Sequence, residues 1–530
     1  MTLDWFNRLS DWNPQVFREL KGRLKQRHAV LAVVGSLAAQ LVVLMYFWNV
    51  LPVARSTDSN LTYKDYTGYN AYCTGAGSYR SFKCLYDRLG NPQVNWQNWW
   101  TDIFQTLSWA LPCLLLVAGV YLLIGDLGKE ERRGTLNFIR LSPQTSQKIL
   151  LGKLMGVPAI PYLAAIVAVP FHVLAASSAD VSIANLLSVY LLTVAVCAFA
   201  YSAALLYALM GGFQGWVGAA AIAMGCMFFY QMLSSSSGWQ LQWFHLSINN
   251  YFDFGLAFVL LTLGTGSYWL WQAMNRRFRN PGVTLLSKSQ SYRMTLCFEV
   301  WLLGFVIRDV SEYSRPFEDL IGLGFFNLVW FVVLIAAMTP PRQMLLDWAR
   351  YRRERVASAK KFWSRSIVKD LLWGEKSPAL VAIVVNLLLA YAVVVPWMLT
   401  WDGDISPLQG FATIVLGAMF TLICATIAQL LMFMKSQKRA VWAASTIAAL
   451  IVLPPVLLGF LQFYPADAPL AWLFSIGAFA ALQTGVSATM VFTAFLGHLA
   501  VLSALSLRLT RQLKRAGESE MKALLAAGRS

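Results

Sequence analysis

Apolar residues along this chain come in blocks of about 17–26 positions, and charged residues crowd into the stretches between them. A helix needs about 20 residues, each rising about 1.5 Å, to cross a hydrocarbon core about 30 Å thick. Backbone polar groups in lipid must pair within the segment itself, and the blocks lack the alternation of barrel strands. The pattern therefore predicts an all-α, polytopic helical membrane protein. Its segments are 28–53, 102–124, 154–176, 185–210, 216–234, 254–274, 292–309, 319–339, 378–400, 409–434, 440–462 and 485–507, about twelve transmembrane helices. The segment 292–309 is short and carries Glu299. A further apolar stretch, 468–484, is read as re-entrant or interfacial. Residues 1–27 are polar and basic, without the apolar core of a signal peptide, so the first span is expected to stay in the mature chain.

Lysine and arginine near span ends favour the cytoplasmic side. They crowd before the first segment and after the second, sixth, eighth, tenth and twelfth, whereas 235–253, 401–408 and 463–484 hold none. With twelve spans, both termini are then cytoplasmic. The stretch 54–101 mixes basic and acidic residues and is placed outside, because a loop of that length crosses despite its charge. A bacterial plasma membrane, a thylakoid or another internal membrane would suit such a chain.

Composition agrees with this picture. Hydrophobic residues make up 57% of the 530 and charged residues 13%, with a mean hydropathy of +0.53. Soluble domains run near 45–50% and about 25%. The net charge of +17 would suit nucleic acid if it were concentrated. Here it is dispersed over the loops, where it serves as the positive-inside signal and attracts anionic lipid headgroups.

The outside stretch holds two of the seven cysteines, Cys73 and Cys84; the other five fall within spans. Two cysteines alone in an exported loop predict a disulfide in an oxidising compartment. The alternatives are free thiols or a metal site, and the lack of a nearby histidine argues against metal. Trp99 and Trp100 open a span, where aromatic residues commonly anchor at the headgroups. A sequon, Asn60-Leu61-Thr62, matters only in a glycosylating organism.

The loop after the second span reads Glu130-Glu131-Arg132-Arg133-Gly134-Thr135-Leu136-Asn137-Phe138-Ile139-Arg140-Leu141-Ser142-Pro143, then Lys148 to Lys153. Physically this is a short amphipathic helix, with Leu136 and Ile139, with or without Phe138, facing one way and Arg132, Arg133 and Arg140 on the wet side. Ser142-Pro143 stops it, because proline disfavours helix in the residue before it. Such a helix either meets a partner or lies in the membrane interface.

These residues resemble the membrane subunits of type-2 ATP-binding-cassette transporters, which are mostly exporters. The matching positions are Glu130 or Glu131, Gly134, Thr135, Leu136, Ser142, Pro143, Gly152 and Lys153; Asn137 stands where that family usually has Glu. The stretch Asn13 to Arg27 looks like the family's amphipathic entry helix. The resemblance implies a coupling helix seated in a groove of a separate, dimeric ATPase subunit. It also implies no cofactor bound directly by this chain, which performs no bond chemistry. The sequence lacks the Gly-x-x-x-x-Gly-Lys-Ser/Thr phosphate loop. Residues 1–290 and 291–530 each supply six spans with a basic loop after the second. This predicts two six-span repeats, or else a permease with accessory spans that pairs with a second copy.

Little else suggests chemistry. His28, His172, His245 and His498 form no ligand pattern. Glu299 is the one acid well inside a predicted span, a position that is functional by default, although Arg293 and Arg308 lie close in sequence. A membrane-embedded enzyme would need a polar or acidic cluster at one membrane face, and the sequence shows none. A scaffold or assembly factor that retains the permease fold is the other reading.

Overall fold

The computed structural model describes residues 11–53, 68–78, 80–87, 90–234, 242–248, 252–307, 316–356, 365–400, 406–476, 478–483 and 485–517. The sequon, Arg308 and the serine run at 235–237 lie outside them. Long apolar helices dominate, and ten of those described are long and apolar enough to cross a membrane. The chain is a multi-pass helical membrane protein. The helix Gln26–Asn49 (α2, after the entry helix α1, Pro14–Arg23) shows why. Phe47 is its one buried residue, while Leu31, Val42 and Tyr46 are more than half exposed. Burying one such side chain is worth about 1.5–3 kcal/mol, so the outward face of α2 belongs in lipid.

The chain folds as two compact units. The first comprises residues 1–238 and 253–279. After α2 it contains α3 (Trp96–Arg132), α4 (Thr135–Arg140), α5 (Ser146–Gly156), α6 (Ala159–Ser178), α7 (Ile183–Leu209), α8 (Gly215–Ser234) and most of α9 (Phe252–Arg279). The 37-residue α3 is its axis, packing on α6, α7 and α8, while α2 packs on α6. Leu123, Ile124, Leu127, Tyr201 and Leu205 fill the core between α3 and α7.

The second unit comprises residues 239–252 and 280–530. Its helices are α10 (Lys288–Leu303), α11 (Pro316–Met338), α12 (Arg342–Val356), α13 (Arg365–Trp373), α14 (Leu380–Met398), α15 (Pro407–Met432), α16 (Arg439–Phe460), the five-residue α17 (Pro469–Leu473) and α18 (Ala488–Ala516). Here α15 is the hub, packing on α11, α14, α16 and α18. The units share one packing rule. Counting the helices of 16 residues or more, the first lies on the third (α2 on α6, α10 on α14), and the second lies on the fourth (α3 on α7, α11 on α15).

Two of the twelve segments expected from the sequence fall outside the ten. One is α8, an apolar helix whose side chains are described as far as Met227. The other is α10, which covers only 16 residues and has a polar inner face: Lys288, Ser291, Thr295 and Glu299 are all buried. The stretch 468–484 contains α17 and a 3-10 turn at Ala478–Leu482, both too short to span, packed on the second-unit core through Leu473, Ala480 and Ala481.

Before α3 the chain forms a small antiparallel sheet of β1 (Tyr69–Asn70), β3 (Ser81–Lys83) and β2 (Gly77–Ser78), with β3 central. Cys73 and Cys84 are joined there by a disulfide, with their Cα atoms 4.8 Å apart. Trp99, expected to anchor at the headgroups, packs against the protein. It is 2% exposed, and its indole N–H donates to Phe47 O at 2.9 Å, tying the start of α3 to the end of α2. The Tyr72 hydroxyl donates to Asp102 Oδ2 at 2.9 Å and Arg80 pairs with Asp102 at 3.1 Å, so the sheet is tied to α3 as well. Replacing both cysteines by serine is expected to cost about 2–4 kcal/mol, the usual worth of a bridge closing a short loop. A thermal unfolding midpoint unchanged by the double substitution would contradict this.

Candidate partner-docking site

The entry helix α1 begins at Asn13, whose Oδ1 accepts from the backbone N–H groups of Gln15 (3.0 Å) and Val16 (3.3 Å). Pro14 sits at the first helical position, where its missing N–H costs nothing. The Asn13 amide also donates to Lys148 O at 2.9 Å, so one residue both starts α1 and docks it on α5.

Two glycines, one turn apart on α5, set the closeness of that docking. A Cβ on Gly152 would lie 2.5 Å from the Gln15 side chain, and one on Gly156 would lie 2.5 Å from Glu19 Cβ. Glycine at both positions lets α1 approach the α5 backbone. Gly152→Leu is therefore expected to lift α1 off at a cost of about 1–3 kcal/mol, as overpacking does. Limited proteolysis between α1 and α2 would then become faster than in the parent; an unchanged cleavage rate would count against this packing.

Beneath α1 lies an ionic cluster. The Lys153 side chain is fully buried, and its Nζ lies 2.8 Å from Asp126 Oδ2, 2.8 Å from Glu130 Oε2 and 3.7 Å from Glu19 Oε1. Arg23 pairs with Asp126 and, at 3.3 Å, with Glu19. Arg18 bridges Glu19 (3.2 Å) and Glu130 (3.4 Å). Burial alone would lower the pKa of Lys153, but Asp126, Glu130 and Glu19 more than reverse this and hold it above the usual lysine value. The ammonium therefore stays charged, and three basic groups balance three acids drawn from α1 and α3.

The fold thus assembles an acidic cluster that the sequence reading did not find, because Glu19, Asp126 and Glu130 come from distant stretches. Among the described residues these three are the group of acids close enough to share a cation. Lys153 Nζ already occupies that place, and a metal ion would have to displace it. With its acids paired to lysine and arginine, the cluster is suited to clamping helices together.

Next to the clamp, α3 ends and the chain reverses at Gly134, whose φ of +70° lies in the left-handed region that favours glycine. The six-residue α4 follows. The Thr135 hydroxyl donates to Glu130 O at 3.2 Å, closing the corner. Leu136 (1% exposed) and Ile139 (8%) plug into the first-unit core. Phe138, whose side the sequence left open, does not join them: it is 79% exposed, and Leu141 is 84% exposed. In a helix with 3.6 residues per turn, positions 136 and 139 share a face and 138 lies off it. Ser142 and Pro143 follow directly and end α4, and Thr145 then caps α5 by accepting from Lys148 N at 3.4 Å.

The structure separates the two glutamates that the sequence left interchangeable. Glu130 turns into the clamp, whereas Glu131 faces solvent. Asn137 Oδ1 accepts from Arg140 Nη1 at 2.8 Å. Arg140 in turn lies 5.6 Å over the Phe278 ring of α9. Arg279 donates to Ser146 Oγ at 2.9 Å, tying α9 to the start of α5. The outcome is a rigid ledge, held from below by Leu136 and Ile139 and braced by the clamp, with two large apolar side chains pointing away from the protein.

Glu299 lies in the second unit. Arg293, its neighbour in sequence, does not pair with it: Arg293 is exposed and its Nε donates to Ser289 O at 3.3 Å. His172 is a packed core residue, stacked on Phe104 and hydrogen-bonded to Ser108 (3.0 Å) and Tyr190 (2.9 Å).

No family model, curated protein or solved structure matches the chain.

Proposed function

We propose that this chain is the membrane subunit of an ATP-binding-cassette transporter, acting with a separate ATPase dimer and, by the family tendency, as an exporter. One observation carries the reading: Phe138 on a short helix and Leu141 at its end stand exposed, while Leu136 and Ile139 of the same turn are packed into the first-unit core. Exposed aromatic and aliphatic anchors on a rigid support are what a partner groove holds. An unsupported loop would yield under load, but α4 cannot move without moving α3 and α5. Force applied at Phe138 passes through Leu136 and Ile139 into the core, and through Glu130 and Lys153 to α1. Closure of the ATPase on ATP would thereby tilt the long helices and change access to the path they line. The residues proposed for coupling are Glu130, Gly134, Thr135, Leu136, Ser142 and Pro143 as the frame, with Glu131 on the exposed rim.

The shared first-on-third and second-on-fourth packing supports reading the two units as a fused pair of permease halves. The alternative is one permease half with accessory helices, dimerising with a second copy. A chain that only scaffolds would bind its partner without changing the partner's ATP turnover.

The test is a purified complex in nanodiscs. Gly134→Pro removes the left-handed corner and is expected to leave membrane insertion intact while at least tenfold less ATPase subunit co-purifies, about 1.4 kcal/mol of binding. Equal capture by parent and variant would refute the coupling role. Capture with no change in ATP turnover would favour the scaffold.

A further inference from the structure

The inner face of α10 carries a file of buried polar residues, and all but the last are satisfied. Lys288 Nζ donates to Leu371 O (2.6 Å), Ser377 Oγ (2.6 Å) and Pro378 O (3.1 Å). Asn386 Nδ2 donates to Ser291 Oγ at 3.0 Å, and Thr295 Oγ1 donates to Asn386 Oδ1 at 2.7 Å. Trp330 Nε1 completes the set on Thr295 at 3.3 Å. Glu299 ends the file, fully buried. Its Oε2 accepts from Asn327 Nδ2 at 3.3 Å, but its Oε1 has no partner, and neither does Asn327 Oδ1. No ion pair reaches Glu299 among the described residues.

With Glu299 ionised, both orphan atoms are acceptors, and each costs about 1–3 kcal/mol when left unpaired in the interior. A buried carboxylate without a counter-charge costs more. Asn327 also lines a cavity of about 200 Å³, whose other walls include Leu320, Leu323, Tyr391, Gly417 and Phe420. That space is much larger than the roughly 30 Å³ of one water, and its walls are almost entirely apolar. Tyr391 commits its hydroxyl proton to Ile414 O at 3.2 Å, so it cannot supply the missing donor. The cavity reaches the helix flank at Phe325, which is 60% exposed on an apolar span.

We propose that Glu299 and Asn327 form the polar end of a binding site for a membrane-dissolved amphiphile bearing a protonated amine. Asn327 faces the cavity and Glu299 lies behind it, so the ammonium donates to Asn327 Oδ1 and its charge neutralises the Glu299 carboxylate that Asn327 holds. The hydrocarbon body fills the cavity and enters from the lipid side past Phe325. Acceptors alone at the polar end select a cationic donor over a carboxylate or phosphate headgroup. The proposal needs the second unit but not the ATPase partner, so it stands or falls apart from the coupling reading.

The experiment uses the full chain in phosphatidylcholine nanodiscs and a dodecylamine probe with a diazirine on its chain, beside the matching dodecanol probe. Photolabelled peptides are mapped by mass spectrometry. The amine is expected to label α11 and α15 about tenfold more than the alcohol, the worth of one charge-assisted hydrogen bond. Glu299→Gln, which keeps an acceptor for Asn327, should lower amine labelling about tenfold. Gly417→Leu provides a second route to the same answer. Gly417 lines the cavity and a Cβ there meets nothing within 4 Å, so a leucine side chain starts from open space and should block the amine while Glu299 stays intact. Equal labelling by amine and alcohol in the parent would overturn the proposal. So would full amine labelling in Glu299→Gln alongside its loss in Gly417→Leu, which would leave only an apolar lipid groove.

Discussion

Replacing Lys153 by methionine is expected to release the entry helix and destabilise the first unit by about 3–5 kcal/mol, the usual cost of removing one partner from a buried ion pair. The size follows from where the charge sits. Lys153 is fully buried between Asp126, Glu130 and Glu19. Methionine would match its length and apolar stem but leave three acids facing Arg18 and Arg23 alone. Arginine would not rescue it, because a planar fork does not fit a pocket built for a compact ammonium. The same clamp gives a pH signature. Because the acids raise the Lys153 pKa in the folded state, its contribution is fully present below the unfolded lysine value of about 10.4 and is lost as pH rises beyond it. Thermal unfolding monitored from pH 7 to 11 should thus show a steeper alkaline fall in the parent than in Lys153→Met. Parallel curves would mean that the clamp contributes little.

A charge at the tip of the ledge should act on the partner and spare the fold. Phe138→Glu and Leu141→Glu alter side chains that are 79% and 84% exposed, so the melting temperature should hardly move. Binding of the ATPase should weaken by roughly 2 kcal/mol or more for each, the range of an interface hot spot, or about thirtyfold in affinity. Ile139→Glu is the contrasting control. Ile139 is 8% exposed and packed in the core, so that substitution should damage folding as well as binding. A melting temperature lowered as much by Phe138→Glu as by Ile139→Glu would show that the outward face is not free.

Much of the architecture was legible because hydrophobic block length speaks directly to bilayer thickness. Ten of the twelve expected segments became long apolar helices. The helix α10, expected as the span 292–309, was harder to read: Lys288, Ser291, Thr295 and Glu299 look like loop residues in a linear hydropathy scan, yet they are buried along one face of it. Hydropathy averages around a helix and cannot register a polar face turned inward. The corner after α3 was legible in Gly134 and Pro143, since glycine and proline carry backbone meaning by themselves. The clamp was not. Glu19, Asp126, Glu130 and Lys153 lie on three different helices, and nothing local in the sequence announces that they meet. The side taken by Phe138 was left open by a reading that went by apolar character, although 3.6 residues per turn already sets 138 off the face shared by 136 and 139. One usable signal was present: Gly152 and Gly156, spaced four apart on α5 beside a basic amphipathic N-terminal stretch, mark a close helix contact.

The most direct measurement places a photo-crosslinking amino acid at position 138, and in a separate variant at position 139, in cells that make the native partner. Position 138 should yield a covalent adduct with a protein containing a phosphate-loop motif, and position 139 should yield none. Adducts from position 138 to lipid alone, or equal adducts from both positions, would show that the ledge around Phe138 is a membrane anchor and does not receive force from a motor.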